Sequence, residues 1–264
     1  MKRTLSQLRR PPDMLLSSIA PNTRRSPRPR PRALVTGGAV RLGRAIALAL
    51  GRSGMDVAIG YHRSAREARR TVRDLERAGA RGVALAADLA DPGAARRLVR
   101  RAARALGGLD VLVNSAARFE RTPLAATTPA RYARLLDLNL RGAFFCAQAA
   151  ARVMAGRGGR IVNLGDADAD GARPAHIPYA LSKAGVATLT RGLAAALRGE
   201  GIAVNCVAPG PVLRPRGFPR ARWRRLTRGR AGSPADVAAA VLFFATCPRY
   251  ITGQILNVDG GEAR

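Results

Sequence analysis

The feature that most constrains this chain is an alternation that begins at Ala33 and runs almost to its end. Short apolar, β-rich runs occur at 33–36 (ALVT), 56–60 (DVAIG), 83–87 (VALAA), 110–114 (DVLVN), 160–164 (RIVNL), 202–207 (IAVNCV) and 254–258 (QILNV). Between them, segments with helical periodicity span 42–53, 65–78, 92–106, 129–155, 179–198 and 234–246. Strands that are apolar throughout are buried on both faces, and amphipathic helices are what covers them. The pattern predicts one α/β domain over 33–264. Its core is a doubly wound, parallel seven-stranded sheet with helices on both faces and ligands at the carboxyl ends of the strands. A hydrophobic content of 47% supplies the core that such a sheet needs. The interval 209–233 breaks the rhythm and is too long for an ordinary connection, so it is expected to be a substrate loop or lid.

Residues 1–32 stand apart. They are rich in Arg and Pro, lack periodicity and read as a disordered basic extension, a transit peptide or an over-extended start. The formal net charge of +29 is carried almost wholly by arginine, since Lys2 and Lys183 are the only lysines. Such a charge permits non-specific contact with polyanions. The arginines are nevertheless scattered along helical segments (Arg66, Arg69, Arg70, Arg73, Arg77; Arg96, Arg97, Arg100, Arg101, Arg104) and are not interleaved with aromatics. No specific nucleic-acid partner is expected from that pattern. Cys146, Cys206 and Cys247 lack metal or redox spacing and lie in apolar runs, which points to buried thiols, a cytoplasmic protein and no metal site. No apolar run has the length of a membrane span.

The first strand runs into TGGAVRLGRAIALAL, where small residues let the backbone approach a pyrophosphate at a helix N-terminus. The second strand ends GYHRSARE. A site for NAD places an acid there for the ribose 2′-hydroxyl, whereas His62, Arg63 and Ser64 offer a cation and a hydroxyl to a 2′-phosphate. NADP(H) is therefore the expected cofactor. Farther on, Tyr179 and Lys183 stand four apart and share a helix face, which sets an ammonium beside a phenol as proton-transfer machinery. Three alternating acids, Asp166, Asp168 and Asp170, precede them. Asp168 and Asp170 read as solvated loop acids, and His176 as a surface histidine near the pocket mouth.

Taken together, TGGAVRLG, Asp88 in ADL, Asn114 in LVNSAA, Asn139 in LNLRGAFF, YALSK, VNCVAPGPV and ITGQILNVDGG resemble the short-chain dehydrogenase/reductase family over essentially all of 33–261. The resemblance implies a Rossmann-type fold and a small-molecule substrate. In it Tyr179 is the general acid, Lys183 lowers its pKa and holds the nicotinamide ribose, and Asn139 holds a relay water. It further implies cofactor contacts from Gly37, Arg41, Leu42, Gly43, Asp88, Leu89, Asn114, Ser115, Ala116, Tyr179, Lys183, Pro209 and Gly210. A homodimer or homotetramer is expected, built on the helices that carry Asn139 and Tyr179.

Two departures from the family pattern are informative. Arg41 replaces the middle glycine of the turn, and Asp166 stands where the family's catalytic serine does, thirteen residues before Tyr179. An ionised carboxylate cannot donate a hydrogen bond to a developing alkoxide. Both departures resemble the pteridine reductase branch. That resemblance implies a pterin or dihydropterin stacked between Phe119 and the nicotinamide, with Arg41 and Asp166 fixing its polar edge and Tyr179 with Asp166 delivering a proton. The alternatives are a ketone or 3-oxoacyl reductase that tolerates Asp166, and a non-catalytic dinucleotide-sensing or basic nucleic-acid-associated protein. The arginines of the lid, around Trp223, fit either an acidic substrate tail or plain surface charge.

Overall fold

A computed structural model describes residues 29–171, 173–215 and 217–261; the expectation of a disordered extension falls mainly on residues outside this range. Seven strands form one sheet: β1 (Arg32–Val35), β2 (Asp56–Tyr61), β3 (Gly82–Ala86), β4 (Val111–Asn114), β5 (Gly159–Leu164), β6 (Ile202–Pro209) and β7 (Ile255–Val258). All pairings are parallel, and the order is β3-β2-β1-β4-β5-β6-β7. This is the predicted doubly wound sheet.

Alternate residues of each strand feed opposite layers, as the period of two requires. Val35, Ile59, Val113, Val162 and Val207 face one core with α1 (Arg41–Arg52) and α8 (Pro234–Thr246). Leu34, Ala58, Leu112, Ile161 and Val204 face the other, against α3 (Pro92–Leu106), α5 (Gly142–Met154) and α6 (Ile177–Ala196). The three cysteines are buried. Burial alone pushes the Cys146 thiol up to about 12. The remaining helices are α2 (Ala65–Arg77), α4 (Pro129–Leu136) and α7 (Arg220–Leu226).

Three features differ from the sequence expectation. Strand β1 begins one residue before the expected run, at Arg32, which is already in the β1 ladder and clips β1 to the start of β4. Its backbone N–H and Nε donate to Asp110 Oδ2 at 2.8 and 2.7 Å, and its Nη2 donates to Oδ1 at 2.9 Å. The expected single helix 129–155 is interrupted by a π-turn at Asp137–Arg141. A wider turn adds a residue without breaking the apolar stripe, so periodicity does not reveal it. The expected lid is not wholly irregular: α7 lies within it, carrying Trp223 against Phe218. Most arginines of α2 and α3 are exposed. Arg96 is the exception, its guanidinium lying 4.5 Å from the centre of the Phe145 ring.

The Arg32–Asp110 clip yields a stability prediction. Burial pushes the Asp110 carboxyl up, but the Arg32 hydrogen bonds and charge outweigh it and hold the net value below the ordinary one. A depressed folded-state value stabilises the fold above the unfolded pKa, and that stabilisation is lost as pH falls through the folded value. Asp110→Asn should lower the urea-unfolding free energy at pH 7 by about 1 kcal/mol. The gap to the parent should close on acidification below about pH 4.

Candidate functional site

Because every strand is parallel, all the carboxyl ends share one edge, and the strand order reverses between β1 and β4. A crevice opens at that reversal. Thr36, just after β1, bridges it: its Oγ1 accepts from the backbone N–H of Ser115 and of Ala116, both at 3.0 Å. The glycine turn is cut close. Gly37 has φ 66°, and a Cβ there would lie 2.9 Å from Ala116 Cα. A Cβ on Gly43 would collide with the Gly37 carbonyl oxygen. Arg41 opens α1 at φ 52°, a left-handed conformation that costs a non-glycine residue about 1 kcal/mol and concentrates at functional sites. Its Nη2 donates to the Arg214 carbonyl at 3.3 Å, tying the turn to the segment after β6, while Leu42 beside it packs on the core.

At the end of β2, Arg63 is exposed and has no ion-pair partner among the described residues. Ser64 precedes α2 without making a side-chain cap bond. His62 Nε2 lies 3.8 Å from Asp88 Oδ2, and both side chains are about half exposed. Leu89, next to Asp88, is buried. Asn114 Nδ2 donates to the Ala143 carbonyl and to Asn163 Oδ1, while its own Oδ1 is buried without a partner. Pro209 closes the far side by accepting from the Ala167 N–H at 3.0 Å, and the Gly210 N–H donates to the Val258 carbonyl. The glycine cradle, the bare Arg63 cation and the uncommitted Ser64 hydroxyl fit a dinucleotide with a 2′-phosphate.

Asp166, Tyr179 and Lys183 lie between the end of β5 and the first turns of α6. Tyr179 is in the first turn of α6, and its hydroxyl donates to Asp166 Oδ2 at 2.7 Å. Arg173 completes the group. Its Nη2 donates to Asp166 Oδ1 at 3.0 Å, its Nη1 to Oδ2 at 3.5 Å, and its Nε to Asp168 Oδ2 at 2.6 Å. Burial, then the Asp166 charge and hydrogen bond, push the Tyr179 phenol well above its ordinary value, and Arg173 pulls the other way. Tyr179 therefore keeps its proton at neutral pH. Lys183 is buried; its Nζ donates to the Leu164 carbonyl at 2.7 Å and lies 6.0 Å from the Tyr179 ring centre. Burial lowers its pKa, opposed by Asp166. One of its three protons is used by that carbonyl, so the group retains donors for a ligand.

Asn139 sits in the π-turn and donates both amide protons, to the Arg118 carbonyl and to Ser182 Oγ; its Oδ1 accepts from the Arg118 N–H. It thereby fixes the segment that carries Phe119. That ring meets Tyr179 edge-on at 4.8 Å and stacks on His176 at 4.6 Å. His176 is not a plain surface residue: it covers one face of Phe119, and its Nδ1 lies 3.0 Å from the Glu120 carbonyl. Asp168 is an exposed loop acid, as expected, yet it also holds Arg173. Sequence reasoning missed Arg173 and Thr36. Arg173 is one arginine among many, in a segment without periodicity, and nothing in its spacing marks it. Among the described residues no cluster has the make-up of a metal site, and no helix is long and apolar enough to cross a membrane.

The comparisons with known proteins agree with this geometry. Residues 38–262 match a family model described as enoyl-(acyl carrier protein) reductase. The chain is 34% identical over 245 residues to the 3-oxoacyl-[acyl-carrier-protein] reductase of Synechocystis, covering 87% of this chain and 95% of that one. A short-chain dehydrogenase from Burkholderia cenocepacia, solved in complex with NADP, superposes with a TM-score of 0.83 at 40% identity over 89% of this chain and 98% of its own. A blue fluorescent protein from a metagenomic library, solved in complex with NADPH, gives 0.83 at 38% identity, with the same coverages of 89% and 98%. With its glycine cradle, its Tyr179/Lys183 pair and these likenesses over nearly its whole described length, the chain belongs to the short-chain dehydrogenase/reductase family of oxidoreductases.

Proposed function

We propose that the chain is an NADP(H)-dependent reductase of a small carbonyl compound, in the class of ketones and 3-oxoacyl groups. The observation that carries this is the Asp166–Arg173 ion pair beside the protonated Tyr179 hydroxyl. A lone Asp166 carboxylate would oppose an alkoxide, but Arg173 sets a positive charge against that carboxylate, next to the reacting oxygen. Similarity to a 3-oxoacyl reductase supports the same substrate class.

Gly37, Arg41, Leu42 and Gly43 would hold the pyrophosphate, with Arg63 and Ser64 on the 2′-phosphate. Asp88 and Leu89 would meet the adenine. Asn114, Ser115, Ala116, Lys183, Pro209 and Gly210 would line the nicotinamide half. When bound, the reduced nicotinamide supplies a hydride. Tyr179 supplies the proton to the substrate oxygen, and its high pKa keeps it loaded for that transfer. Lys183 orients the ribose and offers a positive charge to the phenolate left behind.

A second candidate substrate is a C=N ring of the pterin kind, favoured by Asp166 itself, whose carboxylate accepts from ring N–H groups. Phe119, 48% exposed with one face already on His176, offers its other face for stacking. Self-association is supported by Phe144, Leu181 and Ile177, apolar side chains exposed on α5 and α6. Light scattering of the purified protein should return a dimer or tetramer.

NADPH oxidation by the purified protein, measured against acetoacetyl thioesters, small ketones and dihydropterins, decides the substrate class. Turnover of the carbonyl compounds is expected, and turnover confined to dihydropterins would overturn the carbonyl assignment. Tyr179→Phe should lower kcat about 100-fold or more with NADPH binding retained. Arg63→Ala should weaken NADPH about 10- to 100-fold, from the loss of a charge-assisted bond, and leave NADH nearly unchanged. Steady-state KM values for the two cofactors check this.

A further inference from the structure

We propose that Arg173 is the second hydrogen-bond donor of the reacting site, doing with a guanidinium N–H what a serine hydroxyl would do at position 166. This rests on the carbonyl reductase assignment above.

Two donors converge on one atom. Asp166 Oδ2 accepts the Tyr179 hydroxyl at 2.7 Å and Arg173 Nη1 at 3.5 Å. A carboxylate oxygen between a phenol and a cationic N–H resembles a reacting carbonyl oxygen in charge and in the donors it attracts. In the free enzyme Asp166 Oδ2 thus occupies the place of the substrate oxygen. A substrate oxygen that displaces it meets the same pair. The arrangement supplies what an oxyanion needs: fixed donors aimed where negative charge develops.

Arg173 does not depend on Asp166 to stay there. Asp168 accepts from its Nε at 2.6 Å, the one guanidinium nitrogen that Asp166 does not bond. Asp168 is therefore a positioning residue, which explains the second acid of the DADAD run. The two acids divide the fork: Asp168 holds Nε, while Asp166 holds Nη1 and Nη2 and can give way. Arg173 is three-quarters enclosed and Asp166 more so, so the pair acts with little screening by water. A serine in place of Asp166 would itself be a donor, and Arg173 would then be redundant.

In the step, the O–H bond forms at the substrate oxygen as the Tyr179 O–H bond breaks. Arg173 keeps all of its protons, as a guanidinium does at any working pH. It donates a hydrogen bond to the oxygen as charge builds there, then faces the phenolate until solvent returns a proton.

The test compares Arg173→Leu, Arg173→Lys and the double variant Asp166→Ser/Arg173→Leu with the parent, on the ketone that the parent turns over best. Arg173→Leu should lower kcat about 100-fold, the cost of losing one oxyanion donor, with KM moving far less. Arg173→Lys should recover part of that loss. The double variant should exceed Arg173→Leu about 10-fold or more, because a hydroxyl replaces the lost donor and the unpaired carboxylate is gone. A kcat within twofold of the parent in Arg173→Leu, or a double variant no better than that single variant, would overturn the proposal.

If the parent reduces no ketone, the carbonyl assignment fails separately. Arg173 is then judged by ultraviolet titration of the phenol, with Tyr179→Phe subtracted to isolate the signal. Tyr179 should ionise at higher pH in Arg173→Leu than in the parent. An unchanged titration would sink the role of Arg173 beside Tyr179.

Discussion

The sheet reverses its winding between β1 and β4, and the Thr36 hydroxyl holds the two strand ends together across the gap by accepting both the Ser115 and Ala116 amides. The glycine turn and the Phe119 segment both leave from that junction. The glycine turn leaves β1 against the β4 end, so close that Gly37 and Gly43 have no room for a side chain. The segment that leaves β4 runs on to Arg118 and Phe119, which Asn139 pins from the π-turn. The Thr36 hydroxyl, with the β1–β4 ladder beside it, thus joins the glycine turn to the segment that carries Phe119.

A second set of buried polar contacts fixes the helix that carries Tyr179 and Lys183. Asn114 on β4 reaches Asn163 on β5, which donates to Thr190 on α6 at 3.0 Å. Ser182 and Lys183 on the same helix bond Asn139 and the Leu164 carbonyl. Buried bonds of this kind gain strength from their low-dielectric surroundings, and each is costly to leave half made. They hold Tyr179 in register with the strand ends. Tyr179 and Lys183 therefore rest on a braced helix, while Asp166, Asp168 and Arg173 sit on the loop after β5.

Much of this was legible in the residues. Alternate strand positions such as Leu34 and Val35 fall in opposite cores because a strand's period is two and both faces are covered. The Tyr179–Lys183 spacing and the position of Asp166 thirteen residues earlier survive as a physical cluster because the strand–loop–helix unit that carries them is short. The π-turn at Asn139 was illegible, since adding one residue to a turn leaves the apolar pattern of 129–154 nearly intact. The stacking of His176 on Phe119 was hidden too, because 57 positions separate the two rings in the sequence.

The sequence by itself determined the layered fold, the glycine turn after β1 and the grouping of Asp166, Tyr179 and Lys183. Each of these is written in local period or spacing. Only the tertiary structure decided which cation among so many arginines meets Asp166, and that Asp168 grips it as well. Charge pairing across an aperiodic loop depends on the path of the backbone, and no spacing rule encodes that path.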